Sequence, residues 1–213
     1  MKCIIVGAGD FSGFVRPKES TDILIAADAG YDYCIAAGVC PDIVIGDFDS
    51  RGSAPAADGQ KDKPEIITVP CEKDDTDLHL ALHKGMEMGF DHFDIYGGLG
   101  GRRFSHTMAN IQILAELSET GKQGILYGKD IYITSVTDGA VSFDSNETGI
   151  LSVFSLSDIS EGVTISGAKY LLNDAVLKNT FGLGVSNRFI PGQRAVVSVR
   201  KGTLLIVNET AAE

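Results

Sequence analysis

In the first 130 residues of this 213-residue chain, short apolar runs rich in Ile and Val recur, and they are continuous rather than alternating with polar residues: Lys2–Val6, Asp22–Ala27, Asp42–Ile45, Glu65–Val69, Phe93–Tyr96 and Gly124–Tyr127. A strand that is apolar on both sides belongs in a parallel sheet covered on both faces. The segments between them include two with clear helical periodicity. One begins near Asp74 and places Leu78, Ala81, Leu82, Gly85 and Met86 on one face. The other begins near Ser105, carries Met108, Ile111, Leu114, Ala115 and Leu117, and stops at Gly121. The expected architecture is an α/β doubly wound, mostly parallel sheet with helices on both faces. Both helices would start at the carboxyl ends of strands, where open α/β sheets bind ligands.

Beyond about residue 130 the rhythm changes to short strand-like runs divided by turn residues: 131–136, 140–143, 150–156, 162–165, 184–187, 195–200 and 203–207. Even spacing of this kind predicts an all-β sandwich or barrel. The expected domains are therefore 1–130 (α/β) and 131–213 (β-sandwich).

Twenty-nine acidic residues against eighteen basic ones give a formal charge of −11, which removes the counterion-release drive for nucleic-acid binding. A metal-nucleotide remains compatible, because carboxylates are the ligands Mg²⁺ prefers. The four cysteines, Cys3, Cys34, Cys40 and Cys71, have neither CxxC pairing nor metal-ligand spacing. A reducing compartment follows, and with no run long enough to span a membrane the expectation is a cytoplasmic protein without membrane partners.

The strand 42–45 runs into Gly46-Asp47-Phe48-Asp49-Ser50. In extended backbone, residues two apart point the same way, so Asp47 and Asp49 can reach one site, and a divalent cation would offset their repulsion. A second acidic segment, Glu72-Lys73-Asp74-Asp75-Thr76-Asp77, opens the first helix. Asp74 as N-cap with Asp77 three residues on resembles a capping box. Three acids in four residues exceed what one cap needs, however, and Lys73 with the helix-end amides can meet phosphates while Asp77 holds a metal.

The strand at 93–96 leads into Gly97-Gly98-Leu99-Gly100-Gly101-Arg102-Arg103-Phe104-Ser105-His106. Glycine-loop amides can surround phosphate oxygens, and Arg102 or Arg103 can offer a bidentate fork. The Gly-Lys-Ser/Thr ending of a Walker A loop is absent, so the metal falls to the aspartates. The turn Gly7–Gly13 also follows a strand, but its third glycine is one residue late for a dinucleotide fingerprint.

In order, Asp28-Ala-Gly30, Gly46-Asp-Phe-Asp-Ser50, Asp74-Asp-Thr-Asp77, the glycine and arginine loop leading to His106-Thr-Met-Ala-Asn110, Gly162 to Tyr170, and Gly184-Val-Ser-Asn187 resemble the thiamine pyrophosphokinase family. The resemblance implies an α/β catalytic domain followed by a β-sandwich, in a homodimer that binds thiamine where the two domains of different subunits meet. It implies Mg²⁺ and ATP as cofactor and co-substrate, with Asp47, Asp49 and Asp77 on the metal and Asp74 and Thr76 beside them. Asp28, Lys73, Gly98, Gly101, Arg102, Arg103 and His106 fall on the nucleotide side, and Ser186 and Asn187 near thiamine. One carboxylate, Asp74 or Asp77, would accept the hydroxyl proton. Two departures stand out: the family's Gly-Gly-Arg-x-Asp-His is one residue longer here, with Ser105 at the aspartate position, and Arg188 replaces the Glu that commonly follows Ser-Asn.

Overall fold

The computed structural model describes residues 1–47, 63–70 and 75–210. Asp49, Lys73 and Asp74 lie outside the described residues. The chain divides into two compact units, Met1–Asn110 with Leu126–Lys129, and Ile111–Ile125 with Asp130–Glu213.

The first unit is built on β1 (Cys3–Val6), β2 (Ile23–Ala27), β3 (Ile43–Gly46), β4 (Glu65–Thr68) and β5 (His92–Tyr96). Their order is β4-β3-β2-β1-β5, every pairing is parallel, and the α/β expectation is borne out. Helices cover both faces. Ile4 and Val6 of β1 pack with Tyr31 and Cys34 of α1 (Gly30–Ala36). On the other side a Cβ at Gly85 of α2 (Asp77–Glu87) would lie 2.7 Å from Cys3 Sγ, so the helix packs against the sheet at the glycine. The buried face of α2 is Leu78, Ala81, Leu82 and Gly85, as its periodicity predicts.

Two expectations are corrected and one helix is added. The cap of α2 is Thr76, whose Oγ1 accepts the His79 N–H at 3.2 Å, so the helix begins at Asp77 rather than near Asp74. In α3 (Phe104–Glu119), Met108 is exposed and Ile113, Leu114 and Leu117 are buried. The helix α1, not expected from the sequence, spans only seven residues and has no side-chain cap.

Besides the 111–125 segment, which holds most of α3, the second unit carries the expected all-β part. After β6 (Gln123–Gly128), whose residues are shared between the units, come β7 (Ile131–Thr137), β8 (Ala140–Phe143), β9 (Ile150–Ser155), β10 (Ile159–Ser166), β11 (Leu172–Lys178), β12 (Gly184–Arg188), β13 (Ala195–Ser198) and β14 (Thr203–Glu209). They form antiparallel sheets ordered β12-β9-β14-β7 and β11-β10-β13-β8. Val153, Leu204 and Ile206 from one sheet meet Val163, Ile165 and Val197 from the other in a shared core. The sequence expected β10 to begin at Gly162; instead Gly162, at φ +68, sits at a register shift inside a longer strand. The unanticipated β11 is an edge strand with mostly exposed side chains.

A buried charge network ties down the segment between β1 and β2. Asp94, 2% exposed, accepts from Lys2 Nζ at 3.0 Å and Arg16 Nε at 3.0 Å. Arg16 Nη1 also donates to Asp22 Oδ2 at 2.8 Å, where the Glu19 N–H joins it at 3.1 Å, and the Lys2 N–H donates to Oδ1. Burial alone would raise the Asp22 pKa, but these donors and the Arg16 charge outweigh it and bring the pKa from 3.8 down to about 2. A carboxylate with a depressed folded-state pKa stabilises the fold above its unfolded value and loses that contribution as pH falls through the folded one. Denaturant titrations should therefore show Asp22 contributing about 2 kcal/mol near neutrality, lost between about pH 4 and pH 2. In Arg16→Leu this part of the acid dependence should shrink; an unchanged acid limb would contradict the network.

Candidate active site

The carboxyl ends of the parallel strands open on a cleft of about 690 Å³. Its floor is made by two glycine turns laced together. Gly7 N–H donates to Tyr96 O at 2.8 Å, Gly9 N–H to Gly97 O at 2.7 Å, and Asp10 N–H to Leu99 O at 2.8 Å. Side chains would wedge these turns apart. A Cβ at Gly9 would lie 2.6 Å from Leu99 O, and Gly97, at φ +61, brings its own Cβ position onto the Gly7 carbonyl. Gly100 and Gly101 follow at φ +67 and +78, a left-handed backbone that glycine adopts without strain.

Each neighbouring strand contributes one acid where it ends. Asp28 follows β2 at φ +48, its N–H bonded to Ile45 O at 2.8 Å and its carbonyl accepting from Tyr31 N at 3.2 Å as α1 starts. Asp47 follows β3, and Asp77 stands in the first turn of α2. The α3 side supplies Arg102, Arg103 and His106, whose N–H bonds Arg103 O at 3.0 Å. Asn110, one turn further along α3, donates from Nδ2 to Gly98 O at 2.7 Å.

Of the residues expected from sequence, Asp28, Asp47, Thr76, Asp77, Gly98, Gly101, Arg102, Arg103 and His106 all line this cleft. Asp10, Asp75, Tyr33 and Asn110 line it too; Asp75 and Asn110 fall in the motifs noted above, but none of the four was given a role. Asp10 lies in the glycine turn whose spacing fails the dinucleotide pattern, yet its carboxylate sits over Gly100, with Cγ 2.6 Å from where a Cβ there would be. Asp75 Oδ1 meets His79 Nδ1 at 3.1 Å, and the ring of His79 lies 4.3 Å from that of His83. Tyr33 stacks on Phe11 with centroids 5.3 Å apart, and Phe11 and Phe14 both pack edge-on against Tyr96. No sequence pattern marks these aromatics, because tertiary packing alone brings them together.

Five aspartates thus face one cleft, with Arg102 and Arg103 as the cations. Carboxylates from three strand ends and a helix start provide hard oxygen donors of the kind Mg²⁺ takes, and that cation would relieve their mutual repulsion. The residues fit a magnesium-nucleotide: acids for the metal, glycine amides and arginines for phosphate oxygens.

Ser186 and Asn187 belong to β12 of the second unit. Ser186 is left-handed at φ +60, and its N–H donates to Ser152 Oγ at 3.1 Å. Asn187 is 4% exposed and engaged through both its amide oxygen and its amide nitrogen. Its Oδ1 accepts from the Tyr170 and Arg188 N–H groups, both at 2.8 Å, and its Nδ2 donates to Tyr170 O at 2.6 Å.

Comparison with known proteins agrees across the chain. Residues 15–126 match the family model described as thiamin pyrophosphokinase, catalytic domain, and residues 140–204 match thiamin pyrophosphokinase, vitamin B1 binding domain. A thiamine pyrophosphokinase of Bacillus subtilis (strain 168) is 30% identical over 99% of this chain and 100% of its own length. A crystal structure of thiamine pyrophosphokinase from Bacillus subtilis superposes with a TM-score of 0.84 at 28% identity, covering 100% of both chains. The fold recurs in thiamin pyrophosphokinase from Geobacillus thermodenitrificans, with a TM-score of 0.82, 22% identity and coverage of 100% and 99%. In that from Candida albicans the values are 0.71, 14%, 98% and 90%. Matched along both units, and carrying the acidic cleft at its strand ends, this chain belongs to the thiamine pyrophosphokinase family.

Proposed function

We propose that the protein is a thiamine pyrophosphokinase whose 1–130 region binds Mg-ATP and performs the transfer and whose 131–213 region binds thiamine. The observation that carries this reading is the convergence of Asp28, Asp47 and Asp77 with Arg102 and Arg103 on one cleft, in a chain that matches both family models. The thiamine hydroxyl oxygen attacks the β-phosphorus of ATP. A new P–O bond forms, the bond from the β-phosphorus to the oxygen bridging it to the α-phosphorus breaks, and AMP leaves while the hydroxyl proton passes to a base. Asp74 or Asp77 is the assigned acceptor. Asp47, Asp49 and Asp77 would hold Mg²⁺, which would neutralise phosphate charge. Transfers of this type depend mainly on positioning and charge stabilisation, so Arg102 and Arg103 on the phosphates, with Gly98 and Gly101 in the cradle, bear much of the effect. Lys73, Thr76, Asp28 and His106 complete the nucleotide side.

In the second unit, Asn187 acts on thiamine through the Tyr170 backbone that it clamps, and Ser186 presents its hydroxyl from the irregular, left-handed position within β12. Tyr170, Leu171, Phe181 and Leu183 are exposed around β11 and β12. Exposed large apolar and aromatic side chains concentrated in this short stretch of chain support a homodimer, a second copy covering them. Cys3, Cys34 and Cys40 are free thiols, and burial pushes those of Cys3 and Cys34 up to about 12, which supports inert packing in a reducing cytoplasm. No helix among the described residues is long and apolar enough to cross a membrane.

The purified protein with ATP, Mg²⁺ and thiamine is expected to yield AMP and thiamine diphosphate in equal amounts. ADP as the nucleotide product would instead indicate ordinary kinase chemistry. Ligand binding without any product would indicate a non-catalytic module.

A further inference from the structure

We infer that Asn110 is a positioning residue for the nucleotide side of the cleft: it fixes the glycine loop through Gly98 and presents its amide oxygen to a hydrogen-bond donor of the bound nucleotide. The inference rests on the function proposed above.

Three observations carry it. First, Asn110 lies four residues after His106 on α3, so both project from one helix face, and both border the cleft. Second, the Asn110 side chain is only 7% exposed, and it spends one donor on Gly98 O at 2.7 Å. Its amide oxygen accepts no hydrogen bond among the described residues. An asparagine amide carries two donors and a carbonyl with two lone pairs, and Asn110 Oδ1 is not among the buried polar atoms without a partner, so it keeps solvent contact at the cleft wall, where a ligand donor can replace water. Third, the loop has little room to choose another path. A Cβ at Gly98 would lie 2.5 Å from Leu126 Cδ1, and the next carbonyl, of Leu99, is held by the Asp10 N–H at 2.8 Å.

A trans peptide holds its C=O and N–H in opposite directions. Fixing the Gly98 carbonyl therefore fixes the Leu99 amide as well, and with it the entry into the left-handed pair Gly100 and Gly101. Asn110 thus sets the orientation of the backbone that must meet phosphate oxygens, while its free oxygen selects for a donor on the same ligand. Neither role involves thiamine.

Asn110→Asp keeps the side-chain shape and replaces the donor with an acceptor facing the Gly98 carbonyl; Asn110→Ser removes both functions without adding charge. For both variants, calorimetric titration with a non-hydrolysable ATP analogue and Mg²⁺ is expected to show at least about tenfold weaker binding. The KM for ATP should rise in parallel, that for thiamine should stay within about twofold, and the melting temperature should stay within a few degrees. Unchanged analogue affinity in folded variants would overturn the inference. So would a loss shared equally by both substrates, or failure of both variants to fold, since each marks a purely structural asparagine. The calorimetric readout stands even if the parent protein makes no AMP, which would sink the proposed reaction and not this assignment.

Discussion

Asp77→Asn is expected to lower the rate of AMP formation at least about 100-fold while leaving the fold intact. The separation of these effects follows from how α2 begins. Its cap is Thr76, whose hydroxyl accepts the His79 N–H, so Asp77 is not the residue that satisfies the helix end. An acid in a first turn contributes only about 0.3–1 kcal/mol through the helix dipole, and asparagine keeps the volume and much of the polarity. What it removes is an anionic oxygen donor in a cleft where Asp28, Asp47 and Asp77 converge. Thr76→Ala should do the opposite: a stability loss of about 1 kcal/mol from the missing cap, with a smaller effect on turnover. Thermal melts and AMP assays on the two variants decide between the roles. Full activity in Asp77→Asn would remove Asp77 from the metal set.

The same contrast explains how the sequence was informative. Continuous apolar runs located β1 to β5 to within a residue at each end; for β1, β2, β3 and β5 the reason is that a strand buried on both faces leaves no choice about composition, whereas edge strand β4 is mostly exposed. The cleft residues were legible for a related reason. An acid directly after such a run, as at Asp47, must lie at the carboxyl end of a strand, and the glycines at 97–101 announce a turn where backbone approaches backbone. What was not legible depended on contacts distant in sequence. Asp10 joins the cleft only because Gly9 and Asp10 pair with Gly97 and Leu99, some ninety positions on. Asn110 closes the His106-Thr-Met-Ala-Asn110 segment, but no role for it is legible until the Gly98 carbonyl is placed against it. Edge strand β11 carries polar and apolar side chains without a buried run, so it left no hydrophobic signature. The capping box was misplaced because Asp74 and Asp77 satisfy the spacing while Thr76 has the geometry.

Gly30→Ala is expected to destabilise the protein by at least about 3 kcal/mol and to impair nucleotide binding together with stability. Gly30 opens α1 where the helix passes over the end of β1. A Cβ there would fall on the Val6 carbonyl oxygen, 2.6 Å from Val6 C and 3.1 Å from Gly7 O. All three are backbone atoms, so no rotamer change can relieve the overlap; helix and strand must move apart. Val6 is the last residue of a central strand bonded to β2 on one side and β5 on the other. The displacement would therefore spread to Asp28, two residues upstream of Gly30, and to Gly7, whose N–H holds Tyr96 O. These atoms border the cleft, which couples the two losses. The coupling distinguishes Gly30→Ala from Asp77→Asn. In Gly30→Ala the urea midpoint and the affinity for Mg-ATP should fall together, whereas in Asp77→Asn turnover should collapse with the midpoint unchanged. A Gly30→Ala protein with the parent's midpoint would show that α1 can lift from β1 at little cost, and the tight packing of the Asp28-Ala29-Gly30 turn would then not be what sets the cleft.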